Sequence, residues 1–212
     1  MGNTPMARCL RDKVLFFIIP MLNPDGVYLG NYRCSSLGFD LNRHWISPER
    51  WSHPTICRVK NFLMSLGGDP AINLDIFIDV HAHTTALVGF MYSNSEDGKE
   101  KDEDFPKLLD TLSDHFAYSK CKANKHLNKA GTGRRAMGDF LSVCDTSCYT
   151  LEVAFLRVDS SGNRSDPYTE QIYRDIGTSV CNCFLAHFKL NPNQARYKKG
   201  EQLQQQQQQQ PS

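Results

Sequence analysis

The sequence lacks a hydrophobic run long enough to span a bilayer, since no stretch reaches the roughly 18 apolar residues that a transmembrane helix needs. It also lacks an excess of either charge: 24 Lys and Arg balance 23 Asp and Glu, for a net charge of +1. This balance argues against a nucleic-acid binder that depends on bulk electrostatics. No apolar segment precedes a cleavage site at the N-terminus, so no secretory signal is predicted. We therefore expect a cytoplasmic protein with neither a nucleic-acid nor a membrane partner.

The eight cysteines include no CxxC pair, the spacing typical of zinc ribbons and redox motifs. Without a secretory signal, they are best interpreted as reduced and mostly buried thiols. A cysteine hydrolase is disfavoured because no cysteine stands beside a histidine in a recognisable nucleophile context.

The 212 residues are enough for one domain, and strand-like segments alternate with helix-like ones. Continuous or alternating apolar runs predict strands at Val14–Ile19, Ile76–Val80 and Cys148–Phe155. Apolar residues at helical spacing predict helices at Pro54–Leu66, Pro106–Tyr118 and Pro167–Leu190. This alternation indicates an α/β fold whose sheet is covered by helices on both faces. The Gln-rich segment 193–212 is predicted to be a disordered tail.

Polar clusters interrupt the apolar pattern. Asn23–Gly26 follows the first predicted strand and by itself indicates a plain turn. Arg33, Asn42 and Arg43 stand close together in sequence, and a guanidinium group binds a carboxylate through two parallel hydrogen bonds. The alternative at this point is a solvated loop with surface ion pairs.

A second group of polar residues lies at the ends of predicted strands. Asp79, His81 and His83 fall on one side of an extended chain, and a histidine beside a carboxylate is a frequent metal-ligand arrangement. Glu152 lies in a hydrophobic strand, where a carboxylate needs a partner or a shifted pKa and is a candidate general base. The alternatives are structural histidines and an exposed glutamate on an edge strand. The loop Lys129–Arg135 either presents amides and guanidinium groups to an anion or is a generic basic turn.

Taken in order, these segments resemble the zinc metallocarboxypeptidases, in particular their cytosolic branch. The resemblance spans Leu22 to Phe155 and rests on four segments: NPDGVYLGNYRCSSLGFDLNRHW, FIDVHAH, KAGTGRR and CYTLEVAF. It implies a mixed central sheet flanked by helices on both faces, incomplete at the N-terminus, with residues 1–190 as the C-terminal part of a catalytic domain. It also implies one zinc ion per catalytic domain, with His81 as a ligand.

The resemblance assigns roles to further residues. Glu152 is similar to the general base, and Arg33 to the guanidinium that stabilises the oxyanion. Asn42 and Arg43 are similar to the pair that binds the C-terminal carboxylate of the substrate. One of the two adjacent arginines, Arg134 or Arg135, would receive a glutamate side chain. The implied activity is removal of glutamates from polyglutamylated proteins such as tubulin, at cytoplasmic sites that include microtubules, centrioles and basal bodies.

The family takes its first two zinc ligands from an HxxE motif upstream of the NPDG segment, and that motif is missing. None of the seven histidines has a glutamate three residues later. Because a catalytic zinc needs about three protein ligands, we expect poor zinc retention and little hydrolysis by this chain alone. The sequence is then either a truncated part of an enzyme or a non-catalytic binding module for acidic C-terminal tails. We also expect an uncovered sheet edge or helix face.

Overall fold

A computed structural model describes residues 2–94, 101–124, 127–158 and 165–192; the predicted Gln-rich tail lies outside these ranges. The helices are α1 Pro5–Lys13, α2 Pro24–Leu29, α3 Pro54–Gly67, α4 Lys101–Leu112, α5 Gly133–Phe140 and α6 Glu170–His187. The strands are β1 Ile76–His83, β2 Phe90–Ser93, β3 Lys122–Ala123, β4 Ser147–Ala154, β5 Leu156–Val158 and β6 Ser165–Pro167. No helix in these ranges is long and apolar enough to cross a membrane.

A mixed four-stranded sheet has the strand order β1-β4-β2-β3. β4 runs parallel to β1 and antiparallel to β2, and β2 runs parallel to β3. β5 and β6 form a separate antiparallel pair. Because β1 and β4 are parallel, their carboxyl ends meet at one edge of the sheet, where ligands bind in sheets of this kind.

Helices cover both faces of the sheet, as the sequence predicts. On one face, Trp45 and Met137 form a core with the inner sides of α3 and α5 and with Cys148 of β4. On the other face, Tyr149 and Leu151 of β4 contact residues of α4 and α6. Consecutive residues of β4 thus enter opposite cores, which explains why this strand is buried along most of its length.

The predicted strand at Val14–Ile19 is wrong. This segment forms no ladder with any described strand. Phe16 packs against Phe184 of α6 and Phe17 against Phe62 of α3, with ring centroids 5.3 and 5.2 Å apart, whereas Leu15 is 71% exposed. An apolar run becomes a buried strand only where neighbouring strands satisfy its backbone, and the described part of the chain supplies none.

β1 is a strand, as predicted, but it is not buried on both faces. Only β4 pairs with it among the described strands, and the Val80 side chain is 64% exposed. Within the described residues, β1 is therefore an edge strand of the sheet.

Two further predictions need correction. α4 begins at Lys101 rather than Pro106, and it ends at Leu112. In the turn that follows, the Asp110 side chain accepts the backbone N–H of Tyr118, and the Ser113 hydroxyl group accepts the backbone N–H of His115. Asn23–Gly26 is not a plain turn: the Asn23 side chain accepts the Gly26 N–H and starts α2. Asparagine is a preferred residue at this capping position.

Candidate active site

His81 and Glu152 lie side by side at the carboxyl ends of the two parallel strands. Their Cα atoms are register partners in the β1–β4 ladder, so both side chains point to the same face of the sheet. This is the face that α5 covers. Asp79 lies one step further back in the same ladder, opposite Thr150. The predicted alignment of Asp79, His81 and His83 on one face is confirmed, since β1 continues to His83.

Asp79 fixes the orientation of the His81 ring. Its Oδ2 atom lies 2.8 Å from Nε2 of His81, and its side chain is only 8% exposed. A carboxylate at this distance favours the proton on Nε2 and leaves the lone pair on Nδ1, as in carboxylate–histidine pairs behind metal ions. Burial lowers the pKa of His81, but the hydrogen bond and charge of Asp79 and the charge of Glu152 raise it more, so the net change is upward.

Glu152 has the electrostatic setting of a proton acceptor. Burial raises its pKa, whereas the charges on His81 and His83 lower it, and the net pKa lies above its ordinary value. A carboxylate with a raised pKa takes up and returns a proton more readily near neutral pH. The positive charge of Arg33 makes a smaller contribution that lowers the pKa of both Glu152 and His81.

Asn42 connects this sheet face to the N-terminus of α5. Its Oδ1 atom accepts the Gly133 N–H at 2.8 Å, and its Nδ2 atom lies 3.2 Å from Nε2 of His81. Asn42 belongs to a short 3₁₀ turn, Leu41–Arg43, which starts where the Asp40 side chain accepts the Asn42 N–H. The turn holds Asn42 and Arg43 at the edge of the site.

Asp40 also brings together the two arginines of the predicted site, Arg33 and Arg43. Asp40 Oδ2 lies 3.2 Å from Nη1 of Arg33 and 3.9 Å from Nε of Arg43. The arginine side chains are 55% and 34% exposed, respectively, so a ligand can reach both. Arg43 also donates from Nη1 to the Asn42 carbonyl at 2.8 Å. Two guanidinium groups anchored on one carboxylate form a site suited to a planar anion.

The glycines of the Lys129–Arg135 loop are needed for close packing. The Trp45 N–H donates to the Gly131 carbonyl at 3.1 Å, and a Cβ atom on Gly131 would overlap the Arg43 backbone. A Cβ atom on Gly133 would lie 2.9 Å from Oδ2 of Asp79. The Gly133 amide N–H donates to the Asn42 side chain, so these glycines allow the loop to pack against the Leu41–Arg43 turn.

Replacing Gly131 with alanine is expected to lower the free energy of unfolding by about 1–3 kcal/mol, because the new methyl group displaces the Arg43 backbone. Gly177→Ala is the matched control: this glycine lies within α6, and a Cβ atom there meets nothing within 4 Å. The control is expected to gain about 0.5–1 kcal/mol, the usual advantage of alanine over glycine within a helix. Urea unfolding measures both values, and equal effects would contradict the contact.

The two candidate arginines of α5 differ sharply. Arg134 is 3% exposed and donates to the carbonyls of Ser93, at 2.6 Å, and Asn124, at 2.8 Å, and to Oδ1 of Asn94. Burial and the charge of Arg135 lower the pKa of Arg134 to about 10. Among the described residues no carboxylate lies within ion-pair distance of Arg134, whereas Arg135 lies 4.0 Å from Asp139. Arg134 therefore places a buried positive charge, without an ion-pair partner among the described residues, beneath the site.

The residues present do not fit a complete zinc site. His81 suits a ligand role, since its Nδ1 atom has no hydrogen bond to any described residue. However, no group of three or more His, Cys, Asp or Glu side chains in the described ranges could hold a metal ion. A catalytic zinc needs about three protein ligands and an open position, so this part of the chain does not form one by itself.

The sequence parity that placed Asp79 beside His81 is matched by their contact in the structure. Sequence reasoning assigned no role to two other residues that the structure brings to this face. Thr150 and Tyr92 are register partners on β4 and β2. Nothing local in the sequence marks Tyr92, because its position depends on how two distant strands pair.

Comparison with known proteins assigns the family. Residues 1–152 match the zinc carboxypeptidase family, and the chain belongs to that family, as the sequence motifs predict. Cytosolic carboxypeptidase 6 of Homo sapiens is 48% identical over 193 residues, which cover 89% of this chain and 38% of the relative. Cytosolic carboxypeptidase 6 of Caenorhabditis elegans is 43% identical over 197 residues, covering 87% of this chain and 42% of the relative. The chain thus spans about two fifths of the length of these relatives.

A solved structure supports the fold. A metallo-carboxypeptidase from Burkholderia cenocepacia superimposes with a TM-score of 0.73 at 22% identity, covering 88% of this chain and 48% of that chain. The predicted mixed α/β sheet with helices on both faces is therefore confirmed. Metallocarboxypeptidase membership follows from the family match, and the family implies zinc as its metal.

Proposed function

We propose that this chain carries the substrate-binding and proton-transfer side of a cytoplasmic zinc carboxypeptidase site. The proposed substrates are glutamate-rich tails, such as those of polyglutamylated tubulin at microtubules, centrioles or basal bodies. The observation that carries the proposal is the register pairing of His81 with Glu152 beneath the turn that holds Asn42 and Arg43. One imidazole, one carboxylate and several cationic groups thereby share one face of the sheet.

The proposed roles follow from the donors and acceptors present. Among the described residues, Arg43 keeps most of its five N–H donors free for a terminal carboxylate, and the Asn42 amide nitrogen carries two N–H groups at the same edge of the site. Arg33 faces the carbonyl that is attacked and stabilises its developing negative charge. Glu152 accepts a proton from the attacking water. When the C–N bond breaks, Glu152 returns that proton to the leaving amine.

Buried charge supports a preference for a glutamate side chain. Arg134 has no carboxylate partner among the described residues, and a buried cation without a counter-ion is costly. An acidic group bound above it would offset that cost. Arg135, which lies near Asp139, is the weaker candidate for this role.

A second candidate function is a non-catalytic module that binds acidic C-terminal tails. The observation in its favour is the absence, within the described ranges, of a cluster that could hold a metal ion. In this case Arg33, Asn42 and Arg43 bind the tail, and Glu152 transfers no proton.

Binding and hydrolysis, measured side by side, test both functions. The purified chain is mixed with a peptide that ends in several glutamates, with and without added zinc, and free glutamate is measured by mass spectrometry. Release that requires zinc supports the enzyme and contradicts the module, whereas binding without release agrees with both functions, because this part of the chain does not form a complete zinc site by itself. A chain that neither binds the peptide nor releases glutamate would contradict both functions.

A further inference from the structure

Tyr92 lies on the same sheet face as the proposed catalytic residues. It pairs with Thr150 across β2 and β4, two pairs away from Phe90 and Glu152 along the ladder and therefore on the same face. The rings of Tyr92 and Phe90 pack edge to face, with centroids 5.2 Å apart. Neighbouring strands lie about 4.8 Å apart, so Tyr92 and Glu152 are separated by roughly 8 Å between Cα atoms.

Tyr92 also borders the buried Arg134. Nη1 of Arg134 donates to the carbonyl of Ser93, the next residue after Tyr92, at 2.6 Å. The charges of both Glu152 and Arg134 act on the Tyr92 phenol, whose pKa is raised first by burial, then by Glu152, against the opposing effect of Arg134. Tyr92 therefore lies near both the proposed general base and the buried guanidinium group of Arg134.

The Tyr92 hydroxyl group is available to a ligand. Its side chain is half-buried, and no described residue makes a hydrogen bond to its hydroxyl group. Arg134, in contrast, is almost entirely shielded, and protein oxygens take up both of its terminal nitrogens. The positive charge of Arg134 therefore attracts the acidic side chain of a bound ligand, whereas the nearest accessible hydrogen-bond donor for that side chain is the Tyr92 O–H.

We propose that Tyr92 is a substrate-contact residue whose hydroxyl group donates a hydrogen bond to the side-chain carboxylate of a C-terminal acidic residue. This inference rests on the proposed function, because it takes the scissile bond to lie at Glu152. A side chain of glutamate length then extends along the sheet toward Tyr92. Arg134 supplies the positive potential under that carboxylate, and Tyr92 supplies the direct contact.

The test uses Tyr92→Phe, which removes only the hydroxyl group and keeps the ring against Phe90. Affinity is measured by calorimetry for two peptides that are identical except for a final glutamate or alanine. We expect the variant to bind the glutamate-ended peptide roughly tenfold more weakly, as for loss of a hydrogen bond to a charged group. Its affinity for the alanine-ended peptide is expected to change less than twofold.

Tyr168→Phe is the control, because Tyr168 packs against His115 in a separate cluster with α6. This control should bind both peptides like the wild type. No loss in Tyr92→Phe, or an equal loss for both peptides, would overturn the inference. If the wild type binds both peptides equally, the Tyr92 contact is refuted while carboxylate recognition by Arg43 stands. If it binds neither peptide, the proposed function fails as well.

Discussion

Replacing Arg43 with alanine is expected to weaken the binding of a peptide with a free C-terminal carboxylate by roughly 30- to 100-fold. This range corresponds to the loss of a charge-assisted, two-bonded contact between a guanidinium group and a carboxylate. Arg43 is suited to such a contact because Asp40 and the Asn42 carbonyl hold it in place while its side chain remains 34% exposed. Fluorescence anisotropy with a labelled glutamate-ended peptide measures the effect.

Arg58→Ala is the matched control for this prediction. Arg58 is exposed on α3 and lies outside the proposed site, yet the substitution removes the same charge. We expect its affinity to stay within twofold of the wild-type value. If both variants lose affinity equally, bulk charge rather than the Arg43 contact drives binding, and the proposed role of Arg43 is wrong.

Replacing Trp45 with alanine is expected to lower the free energy of unfolding by about 3–5 kcal/mol, the usual cost of deleting a large buried aromatic side chain. Trp45 is 1% exposed and lies in the core beneath α5, with its ring 6.3 Å from that of Phe77 between centroids. Because Trp45 follows the turn that carries Asn42 and Arg43, the variant should also bind peptide more weakly. Urea unfolding followed by circular dichroism measures the loss of stability.

The other tryptophan provides a control within the same chain. Trp51 is 72% exposed, so Trp51→Ala is expected to change the free energy of unfolding by no more than about 0.5 kcal/mol. A loss for Trp45→Ala as small as that for Trp51→Ala would show that the Trp45 side chain does not fill the core described above.

Hydrophobic periodicity in the sequence identifies the helices and strands that pack against other parts of the described chain. α3, α6 and β4 lie close to their predicted positions, because each presents an apolar face to a core formed within the described chain. The parity of a single strand also places Asp79 and His81 on one face. These local patterns, together with the ordered motifs, were enough to indicate the family.

The failures arise where structure depends on distant partners. Val14–Ile19 has the composition of a buried strand but no described strand to pair with. The difference between Arg134 and Arg135 depends on which carbonyls β2 and β3 bring to α5. Tyr92 joins the site only through the antiparallel pairing of β2 with β4. None of these pairings is encoded in a local pattern.

The most decisive measurement compares two glutamate-ended peptides that differ only at the C-terminus, one with a free carboxylate and one amidated. If Asn42 and Arg43 recognise the end of the chain above His81 and Glu152, the free carboxylate should bind at least tenfold more tightly to the wild type. The Arg43→Ala variant should lose that difference. Equal affinity of the wild type for both peptides would contradict a carboxypeptidase-type site on this face of the sheet.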